Sequence, residues 1–218
     1  GSHQSNAQNF SYQIASLIGG QVIDTSNSFK NNFLNLDEFG LHWGWKRSGL
    51  IKDWSKLVIL QAKKSKIYFK QTSGNNLWRR IKGSEELISL DTDFLGNSDS
   101  IFNIGVDLLK NSWHPPVLWI GVGCERNTPK QFIDSTIKYI FDKKKLSLLS
   151  VAGLATIDIK QDEKAFLEIS REQNWPIKYF SSEQLFAVSV PNPSQVVFDE
   201  IGTYSVAEAS SLMAAGDG

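Results

Sequence analysis

The chain has 218 residues, 41% of them apolar and 21% charged, enough to bury a core in one or two domains. Its 23 Lys plus Arg balance 23 Asp plus Glu, so no whole-molecule field draws it to nucleic acid or an anionic membrane, and any anion site is local. A single cysteine, Cys124, excludes an internal disulfide framework and a thiolate metal site, and fits a reducing cytoplasm. No apolar run approaches the roughly 20 residues of a membrane span, and no basic-then-apolar leader is read at the start. Gly1-Ser2-His3 is either native or the remnant of a cleaved tag.

In chain order, a helical pattern runs from Ala7 to Ile18 and stops at Gly19-Gly20, and Gln21-Val22-Ile23 follows as a short strand. A polar stretch from Asp24 to Asn35 leads into the aromatic, Gly-rich Phe39 to Arg47. Strands are expected at Leu57 to Gln61 and Lys66 to Gln71, the second supported by alternation across Ile67, Phe69 and Gln71. Composition changes near Pro115-Pro116, dividing the chain into 1–112 and 113–218. The second part opens on a buried strand, Val117 to Val122, and then a loop. Thr128 is placed to cap a helix with Pro129 in its first turn and apolar positions at Phe132, Ile133, Ile137, Ile140 and Phe141. A strand-rich Ser147 to Ile159 precedes a helix capped by Asp162, and Ile177 to Phe180 returns as a strand. Ser181 with Gln184, and Ser205 with Glu208, have capping-box spacing, and the last helix, Val206 to Ala215, ends at Gly216. The fold class is α/β: a layered, mostly parallel or mixed sheet with flanking helices, preceded by a smaller α/β or α+β region.

The most informative local feature is Gly121-Val122-Gly123-Cys124-Glu125-Arg126-Asn127-Thr128, which turns from a buried strand toward a helix N-terminus. Free backbone N–H groups there favour an anion, and Arg126 adds a cationic fork. The loop lacks the Gly-Lys-Ser/Thr end of a P-loop and the third glycine of a dinucleotide fingerprint, and the same glycines also serve a plain tight turn. Cys124 is either a nucleophile of lowered pKa or a small buried filler. His3, His42 and His114 are too scattered for a metal motif: His42, between aromatics, is expected to be a packed or hydrogen-bonded imidazole and His114 to lie in a linker. Asp158, Lys160 and Glu163 fall where a strand gives way to a helix, the edge at which open α/β sheets bind ligands. Alternation puts Asp158 and Lys160 on one face, as a water-orienting base and a carboxylate partner or as a solvated ion pair. Pro191-Asn192-Pro193-Ser194 rigidly presents an amide and a hydroxyl, either as a pocket wall or as a stop between elements. Trp43, Trp45, Trp54 and Trp78 form either a stacking floor for a flat ligand or ordinary core.

Taken together and in order, these motifs resemble the carboxy-terminal domain of the CbiG proteins, the cobalt-precorrin-5A hydrolases. The resemblance is carried by the 121–128 loop, Leu154 to Glu163, Tyr179 to Leu185, Val190 to Ser194 and Ile201 to Ala209, over about 100 residues. Phe39 to Arg47, Asp53-Trp54 and Gly74 to Trp78 are more loosely similar to the central region of cyanobacterial-type members. Gly1 to Ala7 is similar to a degenerate end of the family's amino-terminal domain, most of which is then missing, with Ser5 and Asn6 where glycines are common.

The resemblance implies opening of the δ-lactone on ring A of cobalt-precorrin-5A and loss of a two-carbon fragment as acetaldehyde, giving cobalt-precorrin-5B. The substrate is a cobalt corrinoid that carries its own metal, so no cofactor is implied, and in some relatives a precorrin methyltransferase follows as a fused partner. On this reading Glu125 or Asp158 is the base. Gly123, Cys124, Asn127 and Thr128 cradle an oxyanion or carboxylate, Arg126 and Lys160 clamp, and Asn192 and Ser194 shape the pocket wall. A non-catalytic tetrapyrrole-binding or carrier module, of the kind suggested by stand-alone CobE-type relatives, is the alternative; a nucleotide-binding domain would rest on the glycine turn alone.

Overall fold

A computed structural model describes residues 34–90 and 98–216. The helix expected at Ala7 to Ile18 and the strand at residues 21–23 lie outside the described residues. The described strands form two sheets. The first is five-stranded in the order β1 (Lys46–Ser48), β5 (Ser112–His114), β4 (Ile101–Ile104), β2 (Ile67–Gln71), β3 (Leu87–Ser89). It is parallel throughout except for the β1/β5 pair. The second is three-stranded and wholly parallel, in the order β6 (Leu118–Gly121), β7 (Val151–Ile157), β8 (Ile177–Phe180). The α/β class with parallel and mixed sheets is therefore as the sequence indicates. Because β5 belongs to the first sheet, the chain changes sheets at Pro115-Pro116 rather than between residues 112 and 113.

The segment expected as a strand at Leu57 to Gln61 is instead the second half of helix α1 (Ile51–Ala62). Four consecutive apolar residues, Leu57 to Leu60, imitate a buried strand. The burial of Asp53, Trp54 and Leu57 shows the three- and four-residue spacing of a helix that packs one face. Trp45, Trp54, Trp78 and Trp113 meet Phe39, Phe69 and Phe102 in the core of this half. The ring pairs lie 5.0–6.4 Å apart, several of them edge-to-face. That burial removes the tryptophan floor: three of the four rings proposed for it have no face left to offer a ligand.

In the second half, α2 (Lys130–Lys144) buries Ile133, Ile137 and Phe141 at spacings of four, while Phe132 and Ile140 face outward. Pro129, not Thr128, occupies the N-cap position; the Thr128 hydroxyl donates to the Glu125 carbonyl at 2.8 Å and closes the preceding turn. Helix α3 (Lys164–Gln173) begins after Glu163 rather than Asp162 and buries Ala165, Phe166 and Ile169 against Leu154 and Trp175. The capping box at Ser181 is complete, with Gln184 accepting from the Ser181 N–H and donating its own N–H to the Ser181 hydroxyl, and it starts α4 (Ser182–Phe186). Ser194 caps α5 (Gln195–Ile201), a helix with no sequence-based counterpart, which Gly202 ends in the left-handed conformation. The last helix, α6 (Ala207–Ala215), crosses the sheet beside β6 and β7 and ends at Gly216.

The two halves are joined by more than the diproline. Backbone bonds run from Ser147 N–H to the Val106 carbonyl (2.7 Å), from Leu108 N–H to Lys145 (2.8 Å) and from Val117 N–H to Ser150 (3.0 Å). His114 sits in this junction fully buried, which corrects its reading as a linker residue. Its Nδ1 donates to the Gly105 carbonyl at 3.0 Å, which leaves Nε2 to accept the Ser48 hydroxyl at 2.8 Å. His42 is exposed to solvent, its ring 6.0 Å from that of Trp43 and nearly perpendicular to it.

Candidate functional site

The parallel strands β6 and β7 end side by side, and the chain leaves both on the same edge of the sheet. Peptide groups running off that edge have no further ladder partners, which is why ligands of open α/β sheets collect there. A cavity of about 470 Å³ lies at this edge, lined by Gly123 to Glu125 after β6 and by Thr156, Ile157 and Lys160 at the end of β7. Asn192 and Ser194, then Val197, Glu200 and Ile201 of α5, and Tyr204 to Ala207 complete the wall. The volume lies within the ~300–1,000 Å³ typical of small-molecule sites.

Two local features bring α6 over the strand ends. Gly121 has no room for a side chain, since a Cβ there would overlap the Ala207 carbonyl oxygen, and this lets the start of α6 press against β6. The Thr156 hydroxyl donates to the Val122 carbonyl at 2.7 Å and ties the two strand ends together. The proline-bracketed loop is held from outside by Glu208. One carboxylate oxygen accepts the Asn192 N–H at 3.0 Å and the other the Asn192 side-chain amide at 2.6 Å. Ser205 lies one residue before the N-cap position of α6, Val206, and its hydroxyl accepts the Glu208 N–H at 3.2 Å. The Glu208 carboxylate, which a capping box would turn back on Ser205, is thus spent on the cavity wall.

Lys160 and Glu163 form the buried polar element of the site, only 8% and 5% exposed. Lys160 Nζ donates to Glu163 Oε2 at 3.3 Å, and Glu163 Oε1 accepts the Asn127 N–H at 3.1 Å. An ammonium has three N–H donors, so a lysine on the cavity wall with one partner among the described residues keeps two for an incoming oxygen. Asp158 to Lys160 is a 3₁₀ turn, not a strand. The expectation that Asp158 and Lys160 share a face therefore fails: Lys160 turns in to the cavity and Asp158 does not line it.

The structure brings Gly123, Cys124, Glu125, Lys160, Asn192 and Ser194 together on the cavity wall. Arg126, Asn127, Thr128 and Asp158 lie outside it. Arg126 is engaged by Asp162 at 2.9 Å and by the Ile159 carbonyl at 2.8 Å. That hydrogen bond, with the attraction between the two charges, raises the Arg126 pKa and lowers that of Asp162. Asn127 adopts φ 62°, and its N–H points at Glu163. The anion that the 123–128 turn holds is therefore the chain's own carboxylate. Sequence reasoning missed Glu200 and Tyr204, since nothing marked Gln195 to Ile201 as a helix. It also gave Glu163 and Glu208 no part in the site. Ser194 followed by an apolar Val196-Val197-Phe198 was the available signal for α5.

Residues 118–217 match the family model described as cobalamin synthesis G C-terminus. The chain carries a CbiG-type carboxy-terminal domain. It is a protein of cobalamin biosynthesis. It is 25% identical to the cobalt-precorrin-5A hydrolase of Priestia megaterium over 98% of its own length and 61% of that protein's. It is 28% identical to protein CobE of Sinorhizobium sp over 101 residues, 45% of this chain and 66% of CobE. Among solved structures, CobE from the cobalamin (vitamin B12) biosynthetic pathway aligns at 28% identity with a TM-score of 0.43, covering 46% of this chain and 72% of its own. The chain thus spans about three fifths of the hydrolase's length. The cavity lies wholly within the matched CbiG domain. No described helix is long and apolar enough to cross a membrane.

Proposed function

We propose that this chain carries the substrate-handling site for hydrolysis of cobalt-precorrin-5A, a reaction that consumes one water, opens the ring A δ-lactone and releases acetaldehyde. The observation that carries the reading is the cavity at the strand ends, where Glu125 and Lys160 are presented together. Lys160 supplies donors for the oxyanion that develops at an attacked lactone carbonyl, and its burial beside Glu163 fixes it in place before the substrate arrives. Glu125 is the base that takes a proton from the attacking water; Asp158, outside the wall, leaves the role. Glu200 is the other carboxylate on the wall. A cavity of about 470 Å³ admits one edge of a corrinoid, not the whole macrocycle, which agrees with chemistry at a single ring.

The experiment is incubation of the chain with cobalt-precorrin-5A, alone and with the amino-terminal domain of a CbiG relative, with acetaldehyde measured. Glu125→Gln lowers release by at least tenfold, as expected for loss of a general base; unchanged release removes Glu125 from the role.

One observation favours a carrier module instead. Among the described residues the Glu125 carboxylate has no hydrogen-bonding or ionic partner to orient it, whereas a catalytic base is ordinarily held by a third group. Corrinoid binding without acetaldehyde release under either condition decides for the carrier.

A further inference from the structure

Helix α5 carries Val196, Val197, Phe198 and Ile201, yet none of its residues is buried. Val197 and Ile201 face the cavity, while Val196 is 68% exposed. Beside it, three rings from three segments gather: Phe186 at the end of α4, Phe198 on α5 and Tyr204 in the turn before α6. Phe198 and Tyr204 stack with centroids 4.8 Å apart and planes 18° from parallel; Phe186 lies 5.9 Å from Tyr204 at 29° and 5.7 Å from Phe198. A satellite core cluster would bury such rings, but Phe186 is 51% exposed. Tyr204 also belongs to the cavity wall, so the ring group runs without a break from the cavity to solvent.

We infer that the Phe186–Phe198–Tyr204 group is a stacking platform for the flat face of a corrinoid macrocycle whose reacting edge enters the cavity. This rests on the corrinoid reading of the site proposed above. The occupant follows from size and continuity. The cavity takes only an edge of such a ligand, so the rest of the conjugated ring must lie on the surface adjoining the mouth, and that surface is aromatic. The near-parallel Phe198/Tyr204 pair suits an extended flat π-system, whereas an aliphatic partner needs no aligned rings.

The test is titration of the full chain with dicyano-cobyrinic acid, followed by calorimetry and by the shift of the corrinoid absorption bands. Phe186→Leu keeps an apolar side chain of similar size at a half-exposed position and should weaken binding roughly two- to tenfold; adding Phe198→Leu should deepen the loss and diminish the band shift. Thermal denaturation of each variant establishes that it is folded; should the double variant unfold, Phe186→Leu alone decides. Equal affinity and an equal band shift for wild type and Phe186→Leu, with binding still weakened by Lys160→Met, overturn the platform and leave the cavity reading standing. No corrinoid binding by the wild-type chain overturns both.

Discussion

Glu163→Gln perturbs stability and ligand affinity in opposite directions. The Lys160–Glu163 pair is separated by 3.3 Å, and neither side chain is more than 10% exposed. Glutamine keeps the shape and one carbonyl oxygen, so the Asn127 N–H retains an acceptor; what is lost is the negative charge opposite Lys160. Removing one member of a buried pair leaves an uncompensated charge, which costs about 3 kcal/mol. In a chain of this size that is a fall in Tm of about 6–12 °C. The same change frees all three Lys160 N–H donors, so the affinity of the cavity for an anionic oxygen ligand rises. A charge-assisted hydrogen bond contributes about 1.5–3 kcal/mol, which corresponds to tenfold or more. Denaturant unfolding gives the first quantity and calorimetric titration with dicyano-cobyrinic acid the second. Lys160→Met combined with Glu163→Gln closes the cycle: the double variant should be more stable than the sum of the single effects by about 2 kcal/mol. Additive losses, or a Glu163→Gln Tm within about 2 °C of wild type, would refute the claim that these charges are coupled in a low-dielectric site.

Three further outcomes follow from the geometry. Gly121→Ala places a Cβ onto the Ala207 carbonyl and forces α6 away from β6; an overpacking loss of about 1–3 kcal/mol is expected in thermal denaturation, with weaker corrinoid binding. Glu208→Gln offers one acceptor and an unwanted donor to the two Asn192 donors, so corrinoid affinity should fall severalfold while Tm changes little; an unchanged affinity would mean the loop needs no clamp. Burial lowers the His114 pKa below its usual 6.5, against a smaller raising effect of the Gly105 hydrogen bond. The unfolded chain therefore takes up the proton first, so His114 contributes its stability in full above about pH 6.5 and loses it as pH falls through the lower folded-state value. His114→Gln should flatten the pH dependence of Tm in that window.

Local rules made some elements of this chain legible. Alternation identified β2, an apolar run before a glycine turn identified β6, and Ser181 with Gln184 gave the start of α4, because each depends on residues within a few positions. The misreadings share the opposite cause. Leu57 to Leu60 is strand-like by itself and becomes helical through what Trp54 and Leu57 pack against. Glu208 satisfies the local spacing of a capping box but finds better donors 16 residues upstream. His114 beside two prolines looks like linker until the second half of the chain closes over it. The same division runs through the site. Six of the ten residues singled out reach the cavity because they flank strand ends, whose position is given by the fold; the four that do not are diverted by partners over 30 residues away in sequence or by turns that alternation cannot foresee.

That division bears on what the site selects. Most of its wall is backbone turn and small or apolar side chain, and its charged members are few: Lys160, Glu125 and Glu200. Such a wall offers one cation, so it engages a single oxygen of a large ligand, a carboxylate or a lactone carbonyl, with apolar contact around it. Recognition of the remainder of a large ligand then falls to the surface beyond the mouth, where the described residues offer exposed apolar side chains at Val196 and Phe186. Chemistry and affinity are thereby assigned to different parts of one domain. Substitutions at Glu125 should alter turnover with little effect on corrinoid affinity, and substitutions at Phe186 should do the reverse. A variant at Glu125 or Phe186 that moved both together would show that the base and the ring platform are not separate in function.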